Sequence, residues 1–273
     1  MLKLDVKDKK ILSILDMDAR SPLSKIAKAV GLSREVVTYR IKQLEKKKVI
    51  EGYYAAIDLP KLGLMYGRLQ FSYNNMSKKK KADFTEYCNK HPKITWLFYT
   101  DGEYHIALVV VVKNLQEFHE VHDDIREHFG DFVQNPLISF GYKIYHYKYN
   151  FLYDTHDLNH FILGEEYNEN YRLDTFDTQL LTILNKDAHL NLVELAQKLK
   201  STTKRVSYRI KKLIKDKIIL GFRAKINTKI LGFDRYHVDL HIKKCDKEKQ
   251  GKLLKFLKQH QKIIYSTIPI GYN

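Results

Sequence analysis

The stretch VSYRIKKLIKDKIILGFRAKIN, residues 206–227, has a near-copy in VTYRIKQLEKKKVIEGYYAAID, residues 37–58. Each begins with apolar residues at helical spacing and ends in alternating β-branched and aromatic residues around a glycine, Gly52 or Gly221. Sliding the chain by 169 residues aligns positions 4–104 with 173–273 without a gap, and 24 of the 60 positions in 4–63 are identical. The two copies are therefore expected to share one fold.

Outward from the quoted segment, each module reads the same way. In the first, Ile11, Leu12, Ile14 and Leu15 recur at helical spacing behind the acidic residues Asp5 and Asp8, which suit a helix start. A short second helix covers about 24–30, and Gly31-Leu32-Ser33 makes a tight turn with Ser33 as N-cap of a third helix. That helix buries Val37, Ile41 and Leu44; its counterpart, capped by Thr202, buries Val206, Ile210 and Leu213. Lys200 replaces the turn glycine, so the second turn needs another conformation or strain. Helix, short helix, tight turn and long basic helix describe a helix-turn-helix, and VIEGYYAAID and IILGFRAKIN read as two-stranded wings.

Beyond the first wing, 64–74 alternates as a strand, 77–91 is helical, 94–101 and 103–113 are strands, 114–128 is helical and 137–150 closes with a strand. The order βαββαβ is a ferredoxin-like sandwich, whose open sheet face is expected to pair with another. The fold class is thus α+β: winged helix-turn-helix domains, each followed by a ferredoxin-like domain, in tandem. The expected boundaries are 1–60 and 61–150 for the first pair, 151–172 for a connector, and 173–229 and 230–273 for the second. Residues 151–171 carry no Lys or Arg and five acidic residues, unlike their basic flanks. The second copy reaches Asn273 at the repeat position of Tyr104, so a truncated reading frame, a shortened chain or an abbreviated second ferredoxin-like domain is expected, with an open sheet edge in this form.

With 48 Lys and Arg against 32 Asp and Glu, the net charge of +16 predicts attraction to a polyanion. Cys88 and Cys245 lie in different modules without a CxxC pattern, which argues against a disulfide framework or zinc site and fits a reducing cytoplasm. The longest apolar run, IALVVVV at 106–112, is too short to span a bilayer, so no membrane partner is expected.

At 100° per residue, Glu35, Tyr39, Lys42 and Lys46 fall opposite the buried stripe of the third helix, with Arg34 and Thr38 beside them. Residues near the amino end of such a helix reach base edges. Arg34, Glu35, Thr38 and Tyr39 are the base-contact candidates, Lys42 and Lys46 the phosphate contacts, and Ser33 caps the helix at the interface. In the second module Thr202 is the cap, Thr203, Lys204, Ser207 and Tyr208 face bases, and Lys211 and Lys215 face phosphates. Arg40 and Arg209 flank the apolar stripe and either hold phosphates or brace the domain. Double-stranded DNA is the expected partner, with affinity falling on the order of a thousandfold between about 50 and 200 mM salt for some six phosphate contacts per module.

The ordered pattern LD..D..IL..L...AR....IA..VGLS...V..RI..LE...VI.GY.A.ID...LG resembles the Lrp/AsnC family of transcription regulators, over residues 4 to about 150 and again, incompletely, over 173–273. The resemblance implies a winged helix-turn-helix, a ferredoxin-like effector domain, assembly into dimers or larger forms, and bending of DNA, often in answer to an amino acid. In the loop TDGEYH, Gly102 and Tyr104 match the family's effector-loop pattern while His105 replaces the usual acid, which makes Thr100, Asp101, Gly102 and Glu103 the effector-binding candidates. The tandem layout points to a homo-oligomer or to an intramolecular pseudo-dimer through the ferredoxin-like sheets.

The alternative reading is a sirohaem-decarboxylase-like enzyme, since those enzymes join two such halves. Glu51, Gly52 and Tyr53 stand here in place of their basic wing. No phosphate loop, HExxH or GxSxG elbow is present, so neither catalysis nor a cofactor is expected. His119 and His122, one turn apart in FHEVHDD, lack evident further ligands, and no metal is expected.

Overall fold

The computed structural model describes residues 2–240, 242 and 246–271; Cys245 lies outside them. The Asp5 carboxylate accepts the Asp8 N–H and opens α1 (Val6–Leu15). α2 (Leu23–Val30) stops at Gly31, whose left-handed backbone, φ 65°, costs a glycine nothing. The Ser33 hydroxyl accepts the Val36 N–H and starts α3 (Arg34–Lys46). Ile11, Leu15, Ile26, Val37, Ile41 and Leu44 close a three-helix core, and β1 (Ile50–Ile57) leaves it.

The ferredoxin-like unit follows as β2 (Met65–Tyr73), α4 (Lys78–Lys90), β3 (Ile94–Tyr99), β4 (Ile106–Val112), α5 (Leu115–Phe129) and β5 (Val133–Tyr147). Its antiparallel order β3-β4-β2-β5 follows from strand alternation. Leu69, Phe71, Ile106 and Leu108 face the helices, which cover them with Phe84 and Cys88 from α4 and Phe118, Val121 and Ile125 from α5. Arg68, Gln70, Trp96 and Phe98 fall on the opposite face. The acidic connector is ordered as well. Its α6 (Asn150–Tyr153) buries Leu152 and Tyr153 in the helical core, and β6 (His160–Leu163) pairs with β5.

The second module repeats the first with α7 (Thr175–Lys186), α8 (Leu192–Lys198), α9 (Thr203–Lys215) and β7 (Ile219–Ile226). An Asn191–Glu194 capping box starts α8. Lys200 takes the left-handed backbone of its counterpart Gly31, at φ 48°, so this turn carries strain that glycine would not.

The expected two-stranded wings do not form. Each module instead contributes one strand, and β1 pairs antiparallel with β7, so the edges satisfy each other. The register is self-symmetric: Tyr53 faces Ala224, Ala55 faces Phe222, and Tyr54 faces Arg223, its own repeat counterpart. An internal two-fold axis therefore passes through Tyr54 and Arg223 and relates α3 to α9. Matching contacts sit on either side of it. The Ala19 N–H donates to Phe222 O at 2.9 Å and the Ala188 N–H to Tyr53 O at 3.0 Å. The Arg20 guanidinium lies 5.4 Å from the Phe222 ring, and its counterpart His189 stacks 4.3 Å from Tyr53. Both helical cores merge into one across this joint.

A buried ion pair breaks the symmetry. Asp16, with Asn185 as its counterpart, pairs with Arg223 where both are buried. Arg223 Nε donates to Asp16 O at 2.8 Å and Nη2 to Tyr147 O at 3.1 Å, while the Tyr149 N–H donates to Asp16 Oδ2 at 2.8 Å. Burial alone would push this guanidinium down; the Asp16 charge holds it above its ordinary value.

The segment 230–273 builds no sheet of its own among the described residues. It contributes α10 (Lys247–Gln259) and β8 (Tyr265–Ile270), and β8, the repeat counterpart of β3, adds to the free edge of β5 in the first sheet. The unpaired edge of β5 thereby gains a partner. Segment 236–240 crosses the helix-free face of the first sheet. There Arg68 donates to Asp239 at 3.0 and 3.1 Å, and His237 packs 5.1 Å from Phe98. Although burial opposes it, hydrogen bonds from His237 and Arg68 hold the Asp239 carboxyl well below the usual range.

Candidate nucleic-acid interface

α3 and α9 bury one stripe each and leave the opposite face in solvent. On α3 the exposed side chains include Arg34, Glu35, Tyr39, Lys42 and Lys46, with Val36 beside them; on α9 they include Thr203, Lys204, Tyr208, Lys211 and Lys215, with Ile214 beside them. Tyr39 and Tyr208, the same repeat position, are 63% and 65% exposed, which an aromatic side chain lacking a partner on its own surface does not need for folding. Arg205 and Lys212 share the exposed face of α9 and were missed. Their counterparts Val36 and Gln43 are uncharged, so reading the first module and transferring its pattern hid them; the charge of α9 taken alone would have found them.

Three candidate hydroxyls are engaged within their own helices. The Ser33 and Thr202 hydroxyls accept N–H bonds from Val36 and Arg205 at 3.3 and 3.2 Å as caps. Thr38, half-buried, donates its hydroxyl to Arg34 O at 2.8 Å, and Ser207 is also half-buried. Arg40 and Arg209, for which two readings stand open, each meet two carboxylates of their own module. Arg40 lies 2.6 Å from Asp5 and 2.8 Å from Asp8, and Arg209 pairs with Asp174 and, at 3.2 Å, with Asp177. Each arginine ties the recognition helix to the amino end of its module's first helix. The Asp8 N–H and then Arg40 hold the Asp5 carboxyl below its usual range, as the Asp177 N–H and Arg209 do for Asp174.

The two faces are not electrostatic copies. α3 carries four cations and two acids, α9 six cations and no acid. The Glu35 carboxyl is held below its ordinary range by its own N–H and by Ser33. Two solvated helices with this charge, related by a two-fold axis, can lie along successive faces of a polyanion.

The effector candidates occupy the β3–β4 turn. Asp101, Gly102 and Glu103 are exposed, and the Thr100 hydroxyl donates to Tyr104 O at 2.6 Å. Two surface depressions, of about 510 and 920 Å³, lie along α4 and beside the α5–β5 turn, and none of the four residues lines either. On α5, His119 and His122 each lie 3.2 Å from Asp123, and the three offer donor atoms within 4.8 Å of one another.

Comparison with known proteins gives these helices their class. Residues 4–45 match the AsnC-type helix-turn-helix domain and residues 173–219 a winged helix-turn-helix DNA-binding domain. The chain is similar to the HTH-type transcriptional regulator FL11 of Pyrococcus horikoshii, 32% identical over 120 residues that make up 44% of this chain and 78% of that one. It is also similar to the regulatory protein AsnC of Haemophilus influenzae, 32% identical over 127 residues, 44% of this chain and 80% of the other. Among solved structures, the siroheme decarboxylase NirDL in complex with an iron-uroporphyrin III analogue covers 97% of this chain and 94% of its own, with a TM-score of 0.57 and 15% identity, a likeness of fold alone. Paired helix-turn-helix modules with exposed basic recognition helices define a DNA-binding transcription regulator. The chain belongs to the Lrp/AsnC family.

Proposed function

We propose that one chain binds one operator, its two recognition helices entering adjacent major-groove faces about the internal two-fold axis. The observation that carries this reading is the self-symmetric pairing of β1 with β7, which joins the modules as two subunits of a dimer would be joined. Arg34, Glu35 and Tyr39 in one module and Thr203, Lys204 and Tyr208 in the other are its base-reading residues. Lys42, Lys46, Lys211 and Lys215, with Arg205 and Lys212, hold phosphates; Thr38 and Ser207 support from beside them, and Ser33 and Thr202 act as caps. A small-molecule response at the Thr100–Glu103 turn belongs to the same reading. One of the solved relatives, a regulator from Neisseria meningitidis, was captured as an L-Met complex. A cytoplasmic regulator without catalytic activity fits both the charge and the named relatives.

Stoichiometry tests the proposal. Titrating a duplex that carries two half-sites, followed by light scattering of the complex, is expected to give one chain per duplex; two chains per duplex would refute it. A second reading, a tetrapyrrole-modifying enzyme, is supported by the whole-chain likeness of fold to NirDL. An absorbance titration with iron uroporphyrin separates the two: a saturable shift of the porphyrin band favours the enzyme, an unchanged spectrum the regulator.

A further inference from the structure

The internal two-fold axis sets two opposite chemistries at one position of the two probes. Glu35 and Lys204 are repeat counterparts, each the second residue of its helix, each exposed, each just past the capping residue. An ionised glutamate only accepts hydrogen bonds and a lysine only donates them. The base edges in the major groove divide the same way: guanine shows the acceptors N7 and O6, cytosine shows the N4 amino donor, and glutamate with cytosine and lysine with guanine are the pairings that follow. A perfect inverted repeat would offer both probes the same base at this position, and one of the two would meet it donor to donor or acceptor to acceptor.

We propose that the operator is an inverted repeat broken at one position, with cytosine facing Glu35 in one half-site and guanine facing Lys204 in the other, so that the chain docks in a single orientation. The inference rests on the reading that α3 and α9 engage one duplex. Charge on the rest of the two helices divides the work in the same sense. α9, with Arg205 in place of Val36 and no acid, takes the larger share of phosphate contact on any sequence. α3, with its carboxylate at the groove, is repelled by the backbone unless the right base repays it. A homodimer cannot hold this asymmetry, because both of its probes are the same helix; a tandem chain can.

The test is selection of binding sites from a randomised duplex library by the full chain and by its Glu35→Lys and Lys204→Glu forms. Both positions are exposed, and an unfolding midpoint equal to that of the parent shows that each variant is folded. The parent is expected to select a two-fold motif with one C/G mismatch of symmetry. Glu35→Lys is expected to restore guanine in both halves and Lys204→Glu to place cytosine in both. Giving both halves of the parent operator cytosine, or both guanine, should weaken binding roughly ten- to hundredfold, whereas exchanging the two bases only turns the site round and leaves affinity unchanged. A parent motif symmetric at every position, or a Glu35→Lys motif unchanged from the parent, overturns the proposal. A parent that selects no motif at all overturns the two-probe reading beneath it, which is a different and recognisable failure.

Discussion

Replacing Asp16 by alanine removes the carboxylate from a guanidinium that has almost no access to water, since Arg223 is 2% and Asp16 1% exposed. The main-chain acceptors Asp16 O and Tyr147 O remain to Arg223, but its charge loses its counter-ion, and the Tyr149 N–H loses its acceptor at the same time. Removing one partner of a buried pair costs about 3–5 kcal/mol, most of it the stranded charge. Asp16 sits at the end of α1 and Arg223 in β7, so the loss falls on the joint between modules. The assay is urea unfolding of four proteins: the parent, Asp16→Ala, Arg223→Met and the double variant. If stranding is the cause, the double variant is more stable than Asp16→Ala, and the coupling energy exceeds about 2 kcal/mol, near the upper range for contacting residues. An Asp16→Ala loss below about 1 kcal/mol, or a double variant that simply sums the singles, refutes the argument, because either result means that water or another acceptor already serves Arg223.

Four further outcomes follow from the same structure. Lys200→Gly is expected to raise stability by about 0.5–1 kcal/mol in urea unfolding, since the left-handed backbone is strained for lysine and free for glycine; a loss would show that the turn is unstrained. Burial, followed by the like charge of Arg223, pushes the His146 imidazole down to about 4. The unfolded chain takes up this proton near 6.5 while the folded chain does not. Stability is therefore full above that pH and drains as pH falls toward 4, by at most about 3 kcal/mol, then levels; His146→Gln should flatten that part of the pH profile relative to the parent. Changing Lys211 and Lys215 together to glutamine should reduce the slope of log affinity against log salt by about 1.8, checked by fluorescence anisotropy on a duplex. Arg40→Ala should leave that slope unchanged while lowering stability by up to about 1 kcal/mol, given that its partners are partly solvated.

Much of this architecture is legible in the chain because its signals are local. Helical spacing of Val37, Ile41 and Leu44, the Ser33 and Thr202 caps and the βαββαβ order each depend on a few neighbouring residues, and the structure has them where the pattern places them. What strand alternation cannot reveal is which edge a strand will join. VIEGYYAAID looks the same whether it folds back on itself as a wing or pairs with its own repeat, and β8 gives no local sign that it will leave its module for β5. The double role of Arg40 and Arg209 was open for a similar reason, since their acidic partners Asp5, Asp8, Asp174 and Asp177 lie about thirty positions away in sequence, across a core. The buried Asp16–Arg223 pair did leave a trace. Both residues sit where the repeat loses its symmetry, opposite Asn185 and Tyr54, and a paired loss of symmetry in an otherwise well-kept repeat is a place to look for contact.

The strands β1 and β7 belong to a single polypeptide, and mass action treats that very differently from a seam between separate chains. Dilution cannot pull the halves apart, and where one chain serves one operator, as proposed, no assembly step precedes engagement of the target. Occupancy of a regulated promoter would then climb in simple proportion to the copy number of the protein at low abundance, where an associating pair would lag as the square. A cell holding few molecules of such a regulator keeps a graded response instead of a threshold.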